Sequence, residues 1–235
     1  MNRLLVVTGG TRGIGKAIIE RFAKSGSYDF VTCSRNVDDL KKLADAVGSD
    51  FGAKVFTRKV DMSVKSEVMN FGTFIRELGR HVDVLVNNSG YFEPGEIINE
   101  RDGALEDSIQ ANLFSAYHLT RRIVPLMREH KSGHIFNMCS VASIKAYPNG
   151  GSYAISKAAL LGFSRCLRQE VMADGIRVTA VMPGATRTAS WDGTDLPDSR
   201  FMKVEDVAEV VYTANSISEQ SVIEEVLIRP ILGDI

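Results

Sequence analysis

Short runs of apolar residues recur along this chain, and most are followed by a glycine, a proline or polar residues. Uninterrupted apolar runs of this kind are typical of strands that are buried on both faces of a sheet. The runs predict seven strands, at residues 4–7, 30–33, 54–60, 82–86, 133–139, 176–182 and 222–228.

The segments between these runs carry apolar residues three or four positions apart, which is the period of an amphipathic helix. They predict six helices. Two lie at residues 16–24 and 37–47, and a third begins after an N-cap at Ser63. The others run from about 101 to 129, from 153 to about 173, and from about 204 to 215. We expect the helix at 101–129 to be bent or broken. Residues 185–202 are predicted to be irregular.

Strands and helices alternate from end to end, which predicts βαβ crossovers and a parallel sheet covered by helices on both faces. Residues 1–235 suit a single doubly wound α/β domain, and the sequence contains no internal linker or repeat. Ligands bind such sheets at the carboxyl ends of the strands. Four segments directly follow predicted strands and should meet at that edge: residues 9–15, residues 87–90, Ser140, and residues 183–184.

The glycine-rich turn at residues 9–15 joins the first strand to the first helix. Glycines at this place let the backbone approach a pyrophosphate, which the N-terminus of a helix favours. Taken alone, such a turn is also compatible with no ligand. Gly10-x-x-x-x-Gly15-Lys16 matches most of a nucleotide triphosphatase P-loop, but Ala17 stands where that motif requires Ser or Thr.

The residues after the second strand bear on the choice of cofactor. A ribose with a free 2′-hydroxyl calls for an acidic residue here, but the sequence is Cys33-Ser34-Arg35-Asn36. Ser34 and Arg35 suit a 2′-phosphate, and Arg12 adds a second positive charge. We therefore expect NADP(H) to be preferred over NAD(H); the alternative is that Arg35 is a solvated surface side chain.

Tyr153 and Lys157 are four residues apart and share one face of a helix, with Ser140 thirteen positions before the tyrosine. A cationic lysine beside a phenol lowers the pKa of the tyrosine from its usual ~10. Tyr153 would then donate or accept a proton near neutral pH, while the Ser140 hydroxyl holds a substrate oxygen. A Tyr-x-x-x-Lys match alone usually marks an exposed helix face, but its place after Ser140 favours carbonyl or alcohol chemistry.

The composition argues against several other classes of protein. A formal net charge of −1 gives no broad positive field for nucleic acid. Cys33, Cys139 and Cys166 are widely spaced, so we expect buried free thiols in a reducing compartment. The four histidines lack metal-ligand spacing, and no metal is expected. The first apolar run is too short for a signal peptide, and no stretch approaches the ~20 residues of a membrane span, so we expect a soluble, cytoplasmic protein with no membrane partner.

In combination, these motifs resemble the short-chain dehydrogenase/reductase family over nearly the whole chain. The resemblance implies a Rossmann-type dinucleotide-binding fold, an NADP(H)-dependent oxidoreductase acting on a small carbonyl or secondary alcohol, and a homodimer or homotetramer. An NADPH-binding sensor without turnover is the alternative, although it would not need the intact catalytic set. The resemblance rests on Thr8-Gly-x-x-x-Gly-x-Gly15, Asp61, Asn87-Asn-Ser-Gly90, Asn112, Ser140, Tyr153-x-x-x-Lys157 and Pro183-Gly184.

The family pattern implies a role for each candidate catalytic residue. Tyr153 would be the general acid in carbonyl reduction and the base in alcohol oxidation. Lys157 would lower the pKa of Tyr153 and hydrogen-bond the nicotinamide ribose. Ser140 would polarise the carbonyl, and Asn112 would position a water in a proton relay through Lys157. Reduction is the expected direction, since NADPH pools usually drive it.

The resemblance also implies the cofactor-binding residues. Asp61 would contact the adenine with Met62 beside it, and Ser89 stands where the family usually has Ala. Pro183 and the following threonines would hold the nicotinamide end. The full expected set is Gly9, Thr11, Arg12, Gly13, Ile14, Gly15, Ser34, Arg35, Asp61, Met62, Asn88, Ser89, Gly90, Tyr153, Lys157, Pro183, Gly184, Thr186 and Thr188.

The substrate is less determined by the sequence, and both 3-oxoacyl thioester reductases and sepiapterin-type carbonyl reductases are compatible with it. An apolar pocket wall is expected from Trp191, Met202, Phe92, Tyr147 and Ile144. Trp191 is equally compatible with a role as the hydrophobic anchor of its loop. In the family, the helices that would form the subunit interface correspond to those carrying Phe114, Tyr117, Leu161, Phe163 and Leu167.

Overall fold

A computed structural model describes residues 2–235, which form seven parallel strands in one sheet. The strands are β1 (Arg3–Thr8), β2 (Tyr28–Ser34), β3 (Val55–Lys59), β4 (Val84–Asn87), β5 (Gly133–Met138), β6 (Ile176–Pro183) and β7 (Glu225–Ile228). Their order across the sheet is β3-β2-β1-β4-β5-β6-β7. The chain reverses its direction of winding after β3, when β4 pairs with β1, and this is the switch point at which doubly wound sheets bind ligands.

Helices cover both faces of this sheet, as the alternating pattern predicts. They are α1 (Gly13–Ala23), α2 (Val37–Phe51), α3 (Lys65–Glu77), α4 (Ala104–Ile109), α5 (Ser115–His130), α6 (Gly151–Val171) and α7 (Val204–Ser216). In the part of the chain that the structure describes, none of them is long and apolar enough to cross a lipid bilayer.

Successive residues of β1 point to opposite faces of the sheet and build two separate cores. Leu5 and Val7 join the core under α1, α2 and α7, whereas Leu4 and Val6 join the one under α3 and α5. All four side chains are completely buried. Burying each such side chain stabilises the fold by roughly 1.5–3 kcal/mol, so both helical layers are held to the sheet.

Several local expectations differ from the structure. Helix α1 begins at Gly13 rather than Lys16, inside the glycine-rich turn. Ser63 does not cap α3, because its amide and hydroxyl both bond Asp61 Oδ1 and Val64 precedes the helix. Strand β7 begins three residues later than predicted, at Glu225.

The structure separates the residues of the outer helices into surface and core. Phe114 and Tyr117 are exposed, whereas Leu161 and Leu167 are buried in the core. Cys166 is exposed, whereas the other two cysteines are buried as expected.

The long helix at 104–130 is interrupted, as expected, and the interruption has an identifiable form. Residues Gln110–Phe114 make a π-helical turn between α4 and α5, and Asn112 lies within it. Insertions of this kind are frequent at functional sites because the extra residue turns one side chain away from the regular helical path.

A buried histidine lies on β5, an interior strand of the sheet. His134 is 1% exposed, with Nε2 2.8 Å from Thr179 Oγ1 and Nδ1 3.3 Å from Asn215 Oδ1. Burial, assisted by the charge of Arg177, lowers its pKa to about 3. The neutral ring is therefore part of the folded structure.

This burial predicts a loss of stability in mild acid. Between pH 6.5 and about 3 the unfolded chain binds a proton at His134 that the folded protein does not, so the free energy of unfolding falls as pH falls. The expected slope is up to about 1.4 kcal/mol per pH unit. Urea unfolding between pH 4.5 and 7.5 measures it, and His134→Gln should flatten the curve. The partly exposed His118 provides the control, because His118→Gln should have a smaller effect; parallel curves for wild type and His134→Gln would contradict the prediction.

Candidate active site

The carboxyl edge of the sheet opens into a cleft of about 310 Å³. Residues from the ends of β4, β5 and β6 and from the start of α6 line it, as expected for parallel strands that end at one edge. The cleft is lined by Ile14, Asn88, Gly90, Tyr91, Phe92, Met138, Cys139, Ser140, Val141, Lys145, Tyr147, Tyr153, Lys157, Pro183, Gly184, Ala185, Thr186, Thr188, Ser190, Trp191, Asp234 and Ile235.

Ser140 lies two residues after the end of β5 and is nearly buried in the wall of this cleft. Its Oγ accepts a hydrogen bond from the amide of Ala142 at 3.1 Å, and its own amide donates to Ser143 Oγ at 3.2 Å. A hydroxyl that accepts from a backbone amide keeps its proton free to donate. Ser140 can therefore donate a hydrogen bond to an oxygen in the cleft.

Tyr153 lies in the first turn of α6, with its ring edge-on to Phe92 at a centroid distance of 4.9 Å. We expected Lys157 to lower the pKa of this phenol. In the structure, burial raises the pKa of Tyr153 because it disfavours the phenolate, while a hydrogen bond with Ser140 lowers it in part. The lysine amine lies 5.7 Å from the centre of the tyrosine ring.

Lys157 is 5% exposed, and its amine donates to the carbonyl oxygen of Met138 at 2.8 Å. This bond ties α6 to the end of β5. Burial lowers the pKa of Lys157 to about 8, because a charged amine loses its hydration inside the protein. The amine is thus close to its point of titration at physiological pH.

Asn112 is held in the π-helical turn by hydrogen bonds on both sides of its amide. Its Oδ1 accepts from the Tyr91 amide at 2.8 Å, and its Nδ2 donates to the Tyr91 carbonyl and to Ser156 Oγ, each at 2.9 Å. A Cβ placed on Gly90 would lie 3.0 Å from Asn112 Oδ1 and 3.4 Å from Lys157 Nζ. Asn112 is therefore a close neighbour of the lysine, although it does not line the cleft.

The glycine-rich turn packs tightly against β2 and the end of β4. A Cβ on Gly10 would lie 2.3 Å from Thr32 Oγ1, and one on Gly15 would lie 2.5 Å from Asn88 Nδ2. Thr8 Oγ1 in turn accepts from the amides of Asn88 and Ser89, both at 2.9 Å. The turn is a rigid cradle that has no room for side chains at these two glycines.

The first turn of α1 is suited to bind an anion. Arg12 is the residue before the helix, and among the described residues its side chain makes no capping hydrogen bond. The Arg12 side chain therefore does not satisfy the free backbone amides of the first turn. Such amides favour a phosphate. Lys16 instead pairs with Glu20 at 3.5 Å on the exposed face of α1, where a P-loop lysine would not lie.

A positively charged group of residues lies beyond this turn, at the end of β2. Arg12 and Arg35 are exposed, and Thr11 Oγ1 donates to Ser34 Oγ at 3.2 Å. Asp61 lies close enough to Arg35 to feel its charge. Burial opposes the ionisation of Asp61, but hydrogen bonds from Ser63 and the Arg35 charge lower its pKa below the usual range.

Other predicted cofactor residues divide into two groups. Pro183, Gly184, Thr186 and Thr188 all line the cleft, and Thr186 Oγ1 donates to the Gly184 carbonyl at 3.0 Å. Met62, in contrast, is 8% exposed, and its side chain packs into the core under α3.

The predicted apolar wall is partly wrong. Phe92, Tyr147 and Trp191 line the cleft, but Met202 belongs to the core under α7, and Ile144 is 48% exposed and outside the cleft. Trp191 also packs against Phe201 at 5.1 Å, so it anchors its loop as well as lining the cleft.

Sequence reasoning missed a charged pair at the cleft. Lys145 Nζ lies 3.0 Å from Asp234 Oδ2, and Arg229 Nε lies 3.4 Å from Asp234 Oδ1. Lys145 and Asp234 line the cleft together with Ile235. No motif connects positions 145 and 234, which are 89 residues apart in the chain. Tyr91 and Val141 were also missed, although each directly follows a predicted site residue.

Comparisons with known proteins identify the class to which the chain belongs. The family model for short chain dehydrogenase matches residues 3–196. Sepiapterin reductase from Chlorobaculum tepidum is 33% identical over 242 residues, which cover 100% of this chain and 99% of that protein.

Two solved structures are similar over almost their whole length. An alcohol dehydrogenase from the archaeon Thermococcus sibiricus, complexed with 5-hydroxy-NADP, has a TM-score of 0.92 at 26% identity and covers 100% of this chain and 99% of its own. L-Sorbose reductase from Gluconobacter frateurii, complexed with NADPH and L-sorbose, has a TM-score of 0.89 at 28% identity. The match covers 97% of this chain and 95% of the reductase chain.

The chain therefore belongs to the short-chain dehydrogenase family, and the resemblance noted from its motifs is confirmed. The Rossmann-type fold and the oxidoreductase class are confirmed with it. The P-loop interpretation of residues 10–16 is excluded by the same finding.

The burial of Lys157 predicts that this residue lowers the stability of the protein. Lys157→Met should raise the free energy of unfolding at pH 7 by about 1 kcal/mol or more, because the desolvation that lowers the lysine pKa disfavours the folded state. The gain should shrink as pH rises above 8, where the folded protein no longer carries the charge. Urea unfolding at pH 7 and pH 9 measures both effects.

The exposed Lys16 supplies a matched control, since Lys16→Met should leave stability nearly unchanged at either pH. A marked loss of stability in Lys157→Met at pH 7 would show that the bond to the Met138 carbonyl outweighs the burial of charge.

Proposed function

We propose that this protein is an NADP(H)-dependent reductase of a small carbonyl compound. The observation that carries the proposal is the meeting of Ser140, Tyr153 and Lys157 in one cleft with the segment that ends β6. Family membership supports the reaction class, and two similar structures are complexed with an NADP derivative and with NADPH. No second function is favoured by a particular feature of the cleft.

The residues present fit the proposed cofactor. The uncapped start of α1 and the glycine turn packed against Thr32 and Asn88 suit a pyrophosphate. Ser34 and Arg35 at the end of β2, together with Arg12 before α1, suit a 2′-phosphate. Asp61 would hold the adenine edge.

At the other end of the cofactor, Pro183, Gly184, Thr186 and Thr188 would hold the carboxamide of the nicotinamide ring. When bound, the reduced nicotinamide supplies a hydride to a carbonyl carbon.

The proton follows a separate route through the side chains of the chain itself. Ser140 donates a hydrogen bond to the carbonyl oxygen and polarises it, while Tyr153 gives its proton to the same oxygen as negative charge develops. Lys157, once protonated, stabilises the phenolate that remains. Asn112, next to Lys157 behind Gly90, would bind the water through which the proton is replaced.

The dimensions of the cleft favour a compact substrate. A space of about 310 Å³ is at the lower end of small-molecule sites. Phe92, Tyr147 and Trp191 would contact a planar or apolar part, and the pair of Lys145 and Asp234 would contact polar groups. The full-length similarity to a sepiapterin reductase supports this type of substrate over a long-chain acyl thioester.

The proposed role of Tyr153 gives a direct test. Tyr153→Phe should lower kcat for NADPH-dependent reduction of a carbonyl panel by about 10²–10⁴-fold, because the general acid is lost. NADPH binding should change little. Stopped-flow absorbance at the NADPH band measures turnover, and Tyr117→Phe, at a partly exposed tyrosine outside the cleft, is the matched control.

Undiminished turnover in Tyr153→Phe would refute the mechanism. If the wild-type protein binds NADPH but reduces no member of the panel, an NADPH-binding sensor becomes the better description.

Cofactor preference tests the charged group at the end of β2. Arg35→Asp should weaken NADPH binding by about 10–100-fold, because a charge-assisted hydrogen bond of about 1.5–3 kcal/mol is lost. NADH binding should be weakened much less. Fluorescence titration with both nucleotides measures the ratio, and Lys42→Asp on the exposed face of α2 controls for net charge. Equal affinities of the wild-type protein for NADH and NADPH would refute the 2′-phosphate assignment.

A further inference from the structure

Glu100 lies in the loop before α4, but its carboxylate contacts the beginning of α6. Oε1 accepts a hydrogen bond from the Ser152 amide at 2.8 Å, and Oε2 accepts one from the Ser152 hydroxyl. Both bonds link positions 52 residues apart in the chain. The residue bonded by the carboxylate directly precedes Tyr153.

The loop and the helix are shaped to receive this carboxylate. A Cβ placed on Gly151 would lie 1.9 Å from Glu100 Oε1 and 2.5 Å from the Gly95 carbonyl oxygen. Gly95 also forms a parallel bridge with Gly150, and its amide donates to the Asn149 carbonyl at 3.0 Å. The approach is therefore possible only because the helix begins with glycine.

The first amides of a helix have no acceptor within the helix, and they favour a negative charge. Gly150, at the N-cap position of α6, has no side chain to supply such an acceptor. Glu100 provides it from outside the helix. The first turn of α6 is thus ordered by a residue that belongs to another element.

The same loop touches the reacting end of the site at two further points. The Phe92 ring packs edge-on against Tyr153, and both backbone groups of Tyr91 bond the side chain of Asn112. The segment 91–100 is thereby attached at its beginning to Asn112 and at its end to Ser152. Phe92, which lies between these two attachments along the segment, contacts Tyr153.

We propose that Glu100 is a positioning residue for the reaction, which fixes the first turn of α6 and so the direction of the Tyr153 hydroxyl. The proposal rests on the general-acid role of Tyr153 given above. Lys157 lies one turn further along α6 and is held independently by the Met138 carbonyl. Glu100 therefore acts on proton transfer and leaves cofactor binding unaffected.

Kinetics of four variants test this role. Glu100→Ala should lower kcat by about 10–100-fold, the effect expected when a catalytic group is displaced by about 1 Å, while the Kd for NADPH changes less than about twofold. Glu100→Gln should recover most of kcat, because its amide oxygen still accepts from the Ser152 amide. Ser152→Ala removes one of the two hydrogen bonds, so its kcat should lie between those of Glu100→Ala and Glu100→Gln. Glu96→Ala should leave kcat unchanged, because the Glu96 side chain lies in the same loop but accepts its hydrogen bond from Asn99 Nδ2 and not from α6.

Hydrogen exchange supplies a readout that does not depend on turnover. The Ser152 amide should be protected in the wild-type protein and in Glu100→Gln, and should exchange faster in Glu100→Ala. If Glu100→Ala does not fold, kcat and the exchange rate of the residue 152 amide are compared between Glu100→Gln and Ser152→Ala. The proposal then requires the higher kcat in Glu100→Gln.

Wild-type kcat in Glu100→Ala would overturn the proposal, whether or not the Ser152 amide exchanges faster in this variant. An equal loss of kcat in Glu100→Gln and Glu100→Ala would also overturn it, because hydrogen-bond geometry would then not be the cause. Failure of the proposed function is distinguishable from both outcomes: the wild-type protein would reduce no carbonyl, or Tyr153→Phe would keep its activity, whatever happens at Glu100.

Discussion

The carbonyl oxygen of Met138 and the buried amine of Lys157 form the contact on which the arrangement of the site depends. Met138 is the last residue of β5, and Lys157 lies on α6, so the bond joins the sheet to the helix that carries Tyr153. Ser140, two residues after Met138, is thereby brought opposite Tyr153. Without this bond the lysine would be a buried charge with no acceptor, which is strongly unfavourable.

A network of buried amides keeps this contact in register. Asn87 Nδ2 on β4 donates to Asn137 Oδ1 on β5 at 2.8 Å, and Asn137 Nδ2 donates to Ser164 Oγ on α6 at 2.8 Å. These bonds are specific for one alignment of β4, β5 and α6, whereas the apolar contacts around them would tolerate others. The polar residues of the interior thus fix where the catalytic helix lies, and the apolar cores supply the free energy that holds it there.

Sequence reasoning identified what depends on periodicity and on chain order. Most strand runs were found because β1, β2, β4, β5 and β6 are buried on both faces, and the edge on which the site lies follows from parallel strands alone. Local chemistry was less predictable: Ser63 looked like a helix cap, but the Asp61 carboxylate competes for its hydroxyl. Contacts between distant positions, such as Lys145 with Asp234, leave no local pattern to detect.

The pKa of Tyr153 shows most clearly why the sequence was insufficient. The spacing of Tyr153 and Lys157 predicts an acidic phenol, but burial acts on both groups at once, raising the pKa of the phenol and lowering that of the amine. The two effects move the pKa values apart, because the pKa of the phenol rises from 10.0 while that of the amine falls from 10.5 to about 8. In the folded protein the phenol therefore keeps its proton at neutral pH, which is the form that a general acid needs for carbonyl reduction. Burial thus removes the acidic phenol that the spacing predicts, but it leaves Tyr153 in the protonation state that the proposed reduction requires.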